Sequence, residues 1–80
     1  MNEFGIRARP EARAYLERIA AAMMALFKIG RGEAVARIHR FWSREAFLSD
    51  HALIALLHGD PEYWAKTIYL GAKWWLKERP

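Results

Sequence analysis

The segment from Pro10 to Ile29 constrains the fold more than any other part of the chain. It consists almost wholly of strong helix formers, and Leu16, Ile19 and Met23 recur at the spacing of one helix face. Its second half is apolar nearly all round, which is typical of a central, buried helix. Gly30 follows, where a glycine is expected to end the last turn. The pattern predicts one long helix on which the rest of the chain packs.

A second helix is predicted from about Glu33 to Trp42, after a tight Gly30-Arg31-Gly32 connection. Its core face carries Val35 and Ile38. Ser43 can then cap a further turn through Phe47, and the sequence leaves open whether this turn is a break or a continuation.

Two signals predict helix starts in the second half of the chain. Ser49-Asp50 precedes the apolar run Ala52–Leu57, for which helix is favoured over a short strand because Leu and Ala outnumber β-branched residues. Gly59-Asp60-Pro61 ends one element, caps the next and opens it with proline. The last helix is predicted to place Trp64, Ile68 and Trp75 on one face. Gly71 either ends it or lies inside it.

These elements predict a single domain, residues 1–80, with an all-α fold. The expected architecture is a compact four-helix bundle, three long helices plus one short, in orthogonal or antiparallel arrangement. Residues 1–9 are expected to form a short arm that is anchored on the core by Phe4 and Ile6.

Composition excludes several classes of protein. Hydrophobic residues make up 54% of the chain, which is too many for a disordered protein. There is no cysteine, which excludes disulfides, thiolate nucleophiles and cysteine zinc sites. The longest apolar run, Ile19–Phe27, falls well short of the roughly 20 residues of a membrane span. The first ten residues show no apolar signal segment. We expect a cytoplasmic location.

No group of polar residues has the spacing of a catalytic or metal site. His51 and His58 lie about two helical turns apart, and His39 is remote in sequence, whereas chelation on a helix needs neighbours three or four residues apart. The carboxylates fall mostly at helix starts, and no phosphate-binding loop is present. We therefore predict a protein that is not an enzyme and that has no metal and no cofactor.

Arginines on the second helix are the most function-like feature. The formal net charge is +4, and much of the basic excess lies in one contact stripe, which comprises Arg31, Arg37, Arg40 and Arg44. Arginine binds carboxylates and phosphates bidentately, so the stripe suits an acidic partner. A solvated face that keeps an apolar protein soluble is an equally good interpretation.

The C-terminal segment offers a second candidate contact. Trp74 and Trp75 point about 100° apart on a helix, so one of them is expected in an interface while the other packs on the core. Lys73 and Lys77 flank them. The predicted partner-binding residues are therefore the arginine stripe together with these four.

Three binding hypotheses follow, in order of preference. The first is a small inhibitor, adaptor or regulator that docks on a larger, acidic protein. The second is nucleic-acid binding through phosphates and the same arginines, because Ala52–Leu57 is too apolar for a recognition helix. The third is a homodimer formed through Met23–Phe27.

The sequence DPEYWAKTIYLG at Asp60–Gly71, followed by Trp74-Trp75, resembles small uncharacterised bacterial proteins with a similar C-terminal segment. The likeness covers about the last third of the chain and, more loosely, Arg37–Phe47. It implies a bacterial or phage source and a standalone small protein. It implies no activity and no residue role.

Overall fold

The computed structural model describes residues 4–42, 46–47 and 49–71. In this part of the chain there are four helices, α1 (Pro10–Phe27), α2 (Arg31–Phe41), α3 (Asp50–His58) and α4 (Pro61–Leu70). Two short extended segments, β1 (Arg7–Ala8) and β2 (Ala46–Phe47), pair in parallel. The predicted all-α, four-helix architecture is confirmed.

The predicted helix starts in the second half are confirmed by their hydrogen bonds. The Ser49 hydroxyl accepts from the backbone N–H of Ala52 at 3.1 Å, so Ala52–Leu57 belongs to a helix. The Asp60 carboxylate accepts from the backbone N–H of Tyr63 at 2.8 Å, and proline opens α4. Each side chain satisfies one of the donors that a helix start leaves without a partner. Gly71 follows the last residue of α4 with φ 105°, so it ends the helix.

The connection between α1 and α2 differs from the prediction. α1 ends at Phe27, and Lys28 rather than Gly30 takes the left-handed conformation, with φ 56° and its N–H bonded to the carbonyl of Met24. Gly30 is instead the extended residue before α2, so Arg31 and Gly32 are helical. A helix end of this kind needs one residue with positive φ. In this chain that residue is Lys28, two positions before Gly30.

The predicted helical turn through Phe47 is also wrong. α2 ends at Phe41, and the Ala46–Phe47 backbone is extended, with Arg7 opposite Ala46 and Ala8 opposite Phe47. The extended arm offers unpaired backbone donors and acceptors, which a second extended segment satisfies and a helical turn does not. The Ser43 part of this prediction lies outside the described residues.

Contacts at the two ends of α1 and α4 define how these helices run. Near their starts, the Tyr15 hydroxyl donates to the carbonyl of Gly59. Near their ends, the rings of Phe27 and Tyr69 stack with centroids 4.0 Å apart. The two helices are therefore parallel, and α2 runs antiparallel to them, since its end approaches the start of α4 at Trp64. This arrangement leaves a groove between α2 and α4.

One apolar core joins the four helices and the N-terminal arm. Phe4 and Ile6 are 3% and 2% exposed, so the predicted anchoring of the arm is confirmed. Buried apolar side chains from the N-terminal arm, the four helices and Trp42 form a single cluster: Phe4, Ile6, Ala12, Leu16, Ile19, Ala20, Met23, Ala34, Val35, Ile38, Trp42, Leu56 and Ala65. Among the described helices, none has both the length and the apolar character needed to cross a membrane.

Candidate functional site

An open groove of about 310 Å³ lies between α2 and α4 and is lined by Arg37, Arg40, Phe41 and Ile68. The three α2 residues are three and four positions apart, so they share one helix face. Ile68 comes from the facing side of α4. The groove therefore combines two guanidinium groups with an aromatic and an aliphatic side chain, which is a combination suited to an acidic ligand with an apolar part.

Arg37 is held in place by two neighbours. Its Nε and Nη2 atoms lie 2.9 and 2.8 Å from the same carboxylate oxygen of Glu33, one turn earlier on α2. Its guanidinium also lies over the ring of Tyr69, 4.5 Å from the centroid, a cation–π contact that joins α2 to α4. Arg37 is thus oriented by the fold, and much of its charge is already compensated.

Arg40 differs from Arg37 in having no such compensation. Its side chain is exposed, and within the described residues it makes no ion pair. Phe41 beside it is 42% exposed, although its ring edge contacts Trp42 and Trp64. A guanidinium without an ion-pair partner among the described residues therefore lies next to an exposed aromatic surface.

Arg31 is separated from the other arginines of the predicted stripe. Two of its nitrogens lie 2.6 and 3.0 Å from the two carboxylate oxygens of Glu17, forming a bidentate bridge between α2 and α1. The structure thus brings together Arg37 and Arg40 but not Arg31. The remaining predicted contact residues lie outside the described part of the chain: Arg44, Lys73, Trp74, Trp75 and Lys77.

The histidines do not meet one another. The Nδ1 atom of His39 lies 2.9 Å from the carbonyl oxygen of Phe4, so this ring fastens the N-terminal arm to α2. His51 and His58 lie on α3 and are exposed. Within the described ranges, no three His, Asp or Glu side chains are grouped as a metal site would require.

A second, uncharged surface lies on α3, where Leu56 is the buried side chain. Ile54 and Leu57 are 63% and 46% exposed. A shallow depression beside them is lined by Ala55, His58, Gly59, Tyr63 and Trp64. None of the described residues that line this depression is an Asp, Glu, Lys or Arg that would select a partner by charge.

The predicted dimer face, Met23–Phe27, is partly used inside the monomer. Met23 is fully buried, and Phe27 stacks on Tyr69. Ala25 and Leu26 remain exposed, with Leu26 at 41%.

Sequence reasoning missed two groove residues, Phe41 and Ile68, and also Tyr69, whose ring contacts Arg37. Phe41 and Arg37 are four positions apart, and this spacing predicts that they share a helix face. Ile68 was expected to face the core, and nothing in the sequence shows that it borders α2. The same spacing also predicts that Glu33 pairs with Arg37.

No protein-family model matches the chain, and no curated protein or solved structure matches it either.

Proposed function

We propose that this chain is a non-enzymatic binding protein that docks an acidic protein segment in the groove between α2 and α4. The observation that carries the proposal is the exposed Arg40, without an ion pair among the described residues, beside the exposed ring of Phe41. In this proposal Arg40 binds a carboxylate, and Phe41 with Ile68 contacts a neighbouring apolar side chain. The chain acts as an inhibitor, adaptor or regulator in the cytoplasm of a bacterial or phage-infected cell.

The ion pairs of α2 favour a protein segment over nucleic acid. Proteins that bind nucleic acid through its backbone use Lys and Arg side chains that each neutralise a phosphate, and several such contacts act together. Arg31 is bound to Glu17 and Arg37 to Glu33, so two of the three described arginines of the stripe already have carboxylate partners. Among the described arginines of the stripe, Arg40 alone has no carboxylate partner, and one such guanidinium next to apolar surface fits one carboxylate beside one apolar residue better than a row of phosphates.

The test uses a defined peptide probe and the ¹⁵N-labelled chain. The probe is an acetylated, amidated peptide of Gly and Ser that carries two Glu-Leu pairs, and the matched probe carries Gln in place of Glu. We expect the Glu peptide to shift the amide resonances of Arg40 and Phe41, with a Kd between about 0.1 and 1 mM. Arg40→Gln should weaken binding about tenfold. Arg13→Gln makes the same change of charge on the exposed face of α1, and it should weaken binding less than about twofold.

Three results would reject the proposed function. Equal binding of the Glu and Gln peptides would show that no charge is recognised. Equal effects of Arg40→Gln and Arg13→Gln would show that binding depends on net charge and not on the groove. Tighter, steeply salt-dependent binding of a 12-nucleotide single strand or duplex would establish the nucleic-acid alternative instead.

A further inference from the structure

Glu33 occupies one of the two edges of Arg37 that a bidentate ligand can use. Both Nε and Nη2 of Arg37 bond to one oxygen of Glu33, at 2.9 and 2.8 Å. These two nitrogens form one of the two guanidinium edges that can pair with both oxygens of an incoming carboxylate, and the other edge, Nη1 with Nη2, shares Nη2 with it. A ligand must therefore displace Glu33 before Arg37 can bind it in this way.

We infer that Glu33 is an intramolecular competitor for Arg37, and that it sets the groove to recognise one carboxylate rather than two. This inference rests on the proposed function of the groove. Arg40 takes the single carboxylate, while Arg37 forms a wall of the groove through its contact with Tyr69. The preferred ligand is then an acidic segment in which one Asp or Glu adjoins an apolar residue, and not a run of adjacent acidic residues.

The ion pair is weak, so its competition with a ligand is modest in size. Glu33 and Arg37 side chains are 46% and 31% exposed, and exposed pairs four residues apart contribute little to stability. A ligand that takes this edge of Arg37 must break the pair with Glu33, so the free energy of the pair sets the size of the competition. An exposed pair contributes at most about 1 kcal/mol, which corresponds to about fivefold in Kd.

Tyr69 holds Arg37 in position whether or not Glu33 binds it. The guanidinium of Arg37 is held over the Tyr69 ring, and Tyr69 is itself stacked on Phe27 of α1. Removing the charge of Glu33 therefore leaves Arg37 in the same position at the edge of the groove. Little side-chain entropy remains to be lost when a ligand binds, which favours binding.

The experiment compares Glu33→Gln with a matched control. The probe peptide carries two adjacent Glu residues followed by Leu, and Kd is measured from amide shifts at about 150 mM salt. We expect Glu33→Gln to tighten binding about fivefold. Glu17→Gln removes the same charge and releases Arg31, which lies outside the groove, so it should tighten binding less than about twofold.

A second pair of variants assigns the gain to Arg37. In the original chain, Arg37→Gln should weaken binding less than about twofold, because Arg37 is masked. In the Glu33→Gln background, the same substitution should remove the fivefold gain. Circular dichroism of each variant checks that the helices are retained, since glutamine has nearly the helix propensity of glutamate.

The outcomes separate this inference from the proposed function. If Arg40→Gln weakens binding but Glu33→Gln and Glu17→Gln have equal effects, competition by Glu33 is rejected, whereas the proposed binding in the groove is supported. The same conclusion follows if Arg37→Gln weakens binding in the original chain as strongly as Arg40→Gln does. If Arg40→Gln has no effect, both the proposed function and this inference are rejected.

Discussion

The bond from the Tyr15 hydroxyl to the carbonyl of Gly59 fixes the start of α4 against α1, and Tyr15→Phe removes it with almost no change of shape. The bond is between neutral groups and is partly buried, so its net contribution is about 1 kcal/mol. For a domain of this size, a loss of about 1 kcal/mol lowers Tm by about 4–8 °C. Tyr69→Phe is the control, because the ring of Tyr69 makes the contacts to Phe27 and Arg37. It should change stability by less than about 0.5 kcal/mol.

The same hydroxyl predicts a loss of stability at alkaline pH. Burial raises the pKa of Tyr15, the charge of Asp60 raises it further, and Arg18 lowers it. Because the pKa of Tyr15 is higher in the folded than in the unfolded chain, the folded state holds the proton more tightly. The contribution is fully present below the unfolded pKa of about 10 and is lost as pH rises through the folded pKa.

Urea unfolding followed by circular dichroism measures both effects. The original chain should be more stable than Tyr15→Phe by about 1 kcal/mol at pH 7, and the difference should shrink as pH rises above about 10. The comparison of the two chains cancels the titration of all other groups. Equal stability at pH 7, or a difference that is constant or grows with pH, would refute this account of the α1–α4 contact.

Two further predictions concern backbone conformation, and urea midpoints measure both. Lys28→Gly should stabilise the chain by about 0.5–1 kcal/mol, because Lys28 has φ 56° and a Cβ is disfavoured there; Lys28→Ala keeps the Cβ, and an equal gain from it would contradict the explanation. Gly5→Ala should destabilise by about 1–3 kcal/mol, since Gly5 has φ 66° and an added Cβ would lie 2.9 Å from Nδ1 of His39. Gly32→Ala, in a helix with nothing near the added Cβ, should instead stabilise by up to about 1 kcal/mol, and a loss at both positions would contradict the steric account.

Local signals explain which parts of the fold could be predicted. The N-caps Ser49 and Asp60 act on backbone groups three residues away, so sequence alone was enough to find them. The end of α1 was predicted less well, because Gly30 is the better residue for positive φ but Lys28 has that conformation. The pairing of Arg7–Ala8 with Ala46–Phe47 joins segments far apart in sequence, and such pairing depends on how the helices bring them together.

The candidate site likewise has features that the sequence predicts and features that depend on how the helices pack. That Arg37 and Arg40 share a face follows from helix periodicity. The bond of Arg31 to Glu17 does not, because it depends on where α2 crosses α1. Ile68 likewise enters the groove only because α4 runs beside α2.

The net charge of +4 is a poor guide to what the groove can recognise. An arginine that already pairs with a carboxylate adds to the long-range potential but offers few donors to a ligand. On α2, Arg31 and Arg37 are paired in this way, whereas Arg40 is not paired with any described residue. In the proposed function, long-range attraction therefore comes from the whole chain, and specific recognition rests on Arg40 and the apolar side chains beside it. Net charge is expected to govern the association rate and its salt dependence. The groove residues are expected to govern the dissociation rate.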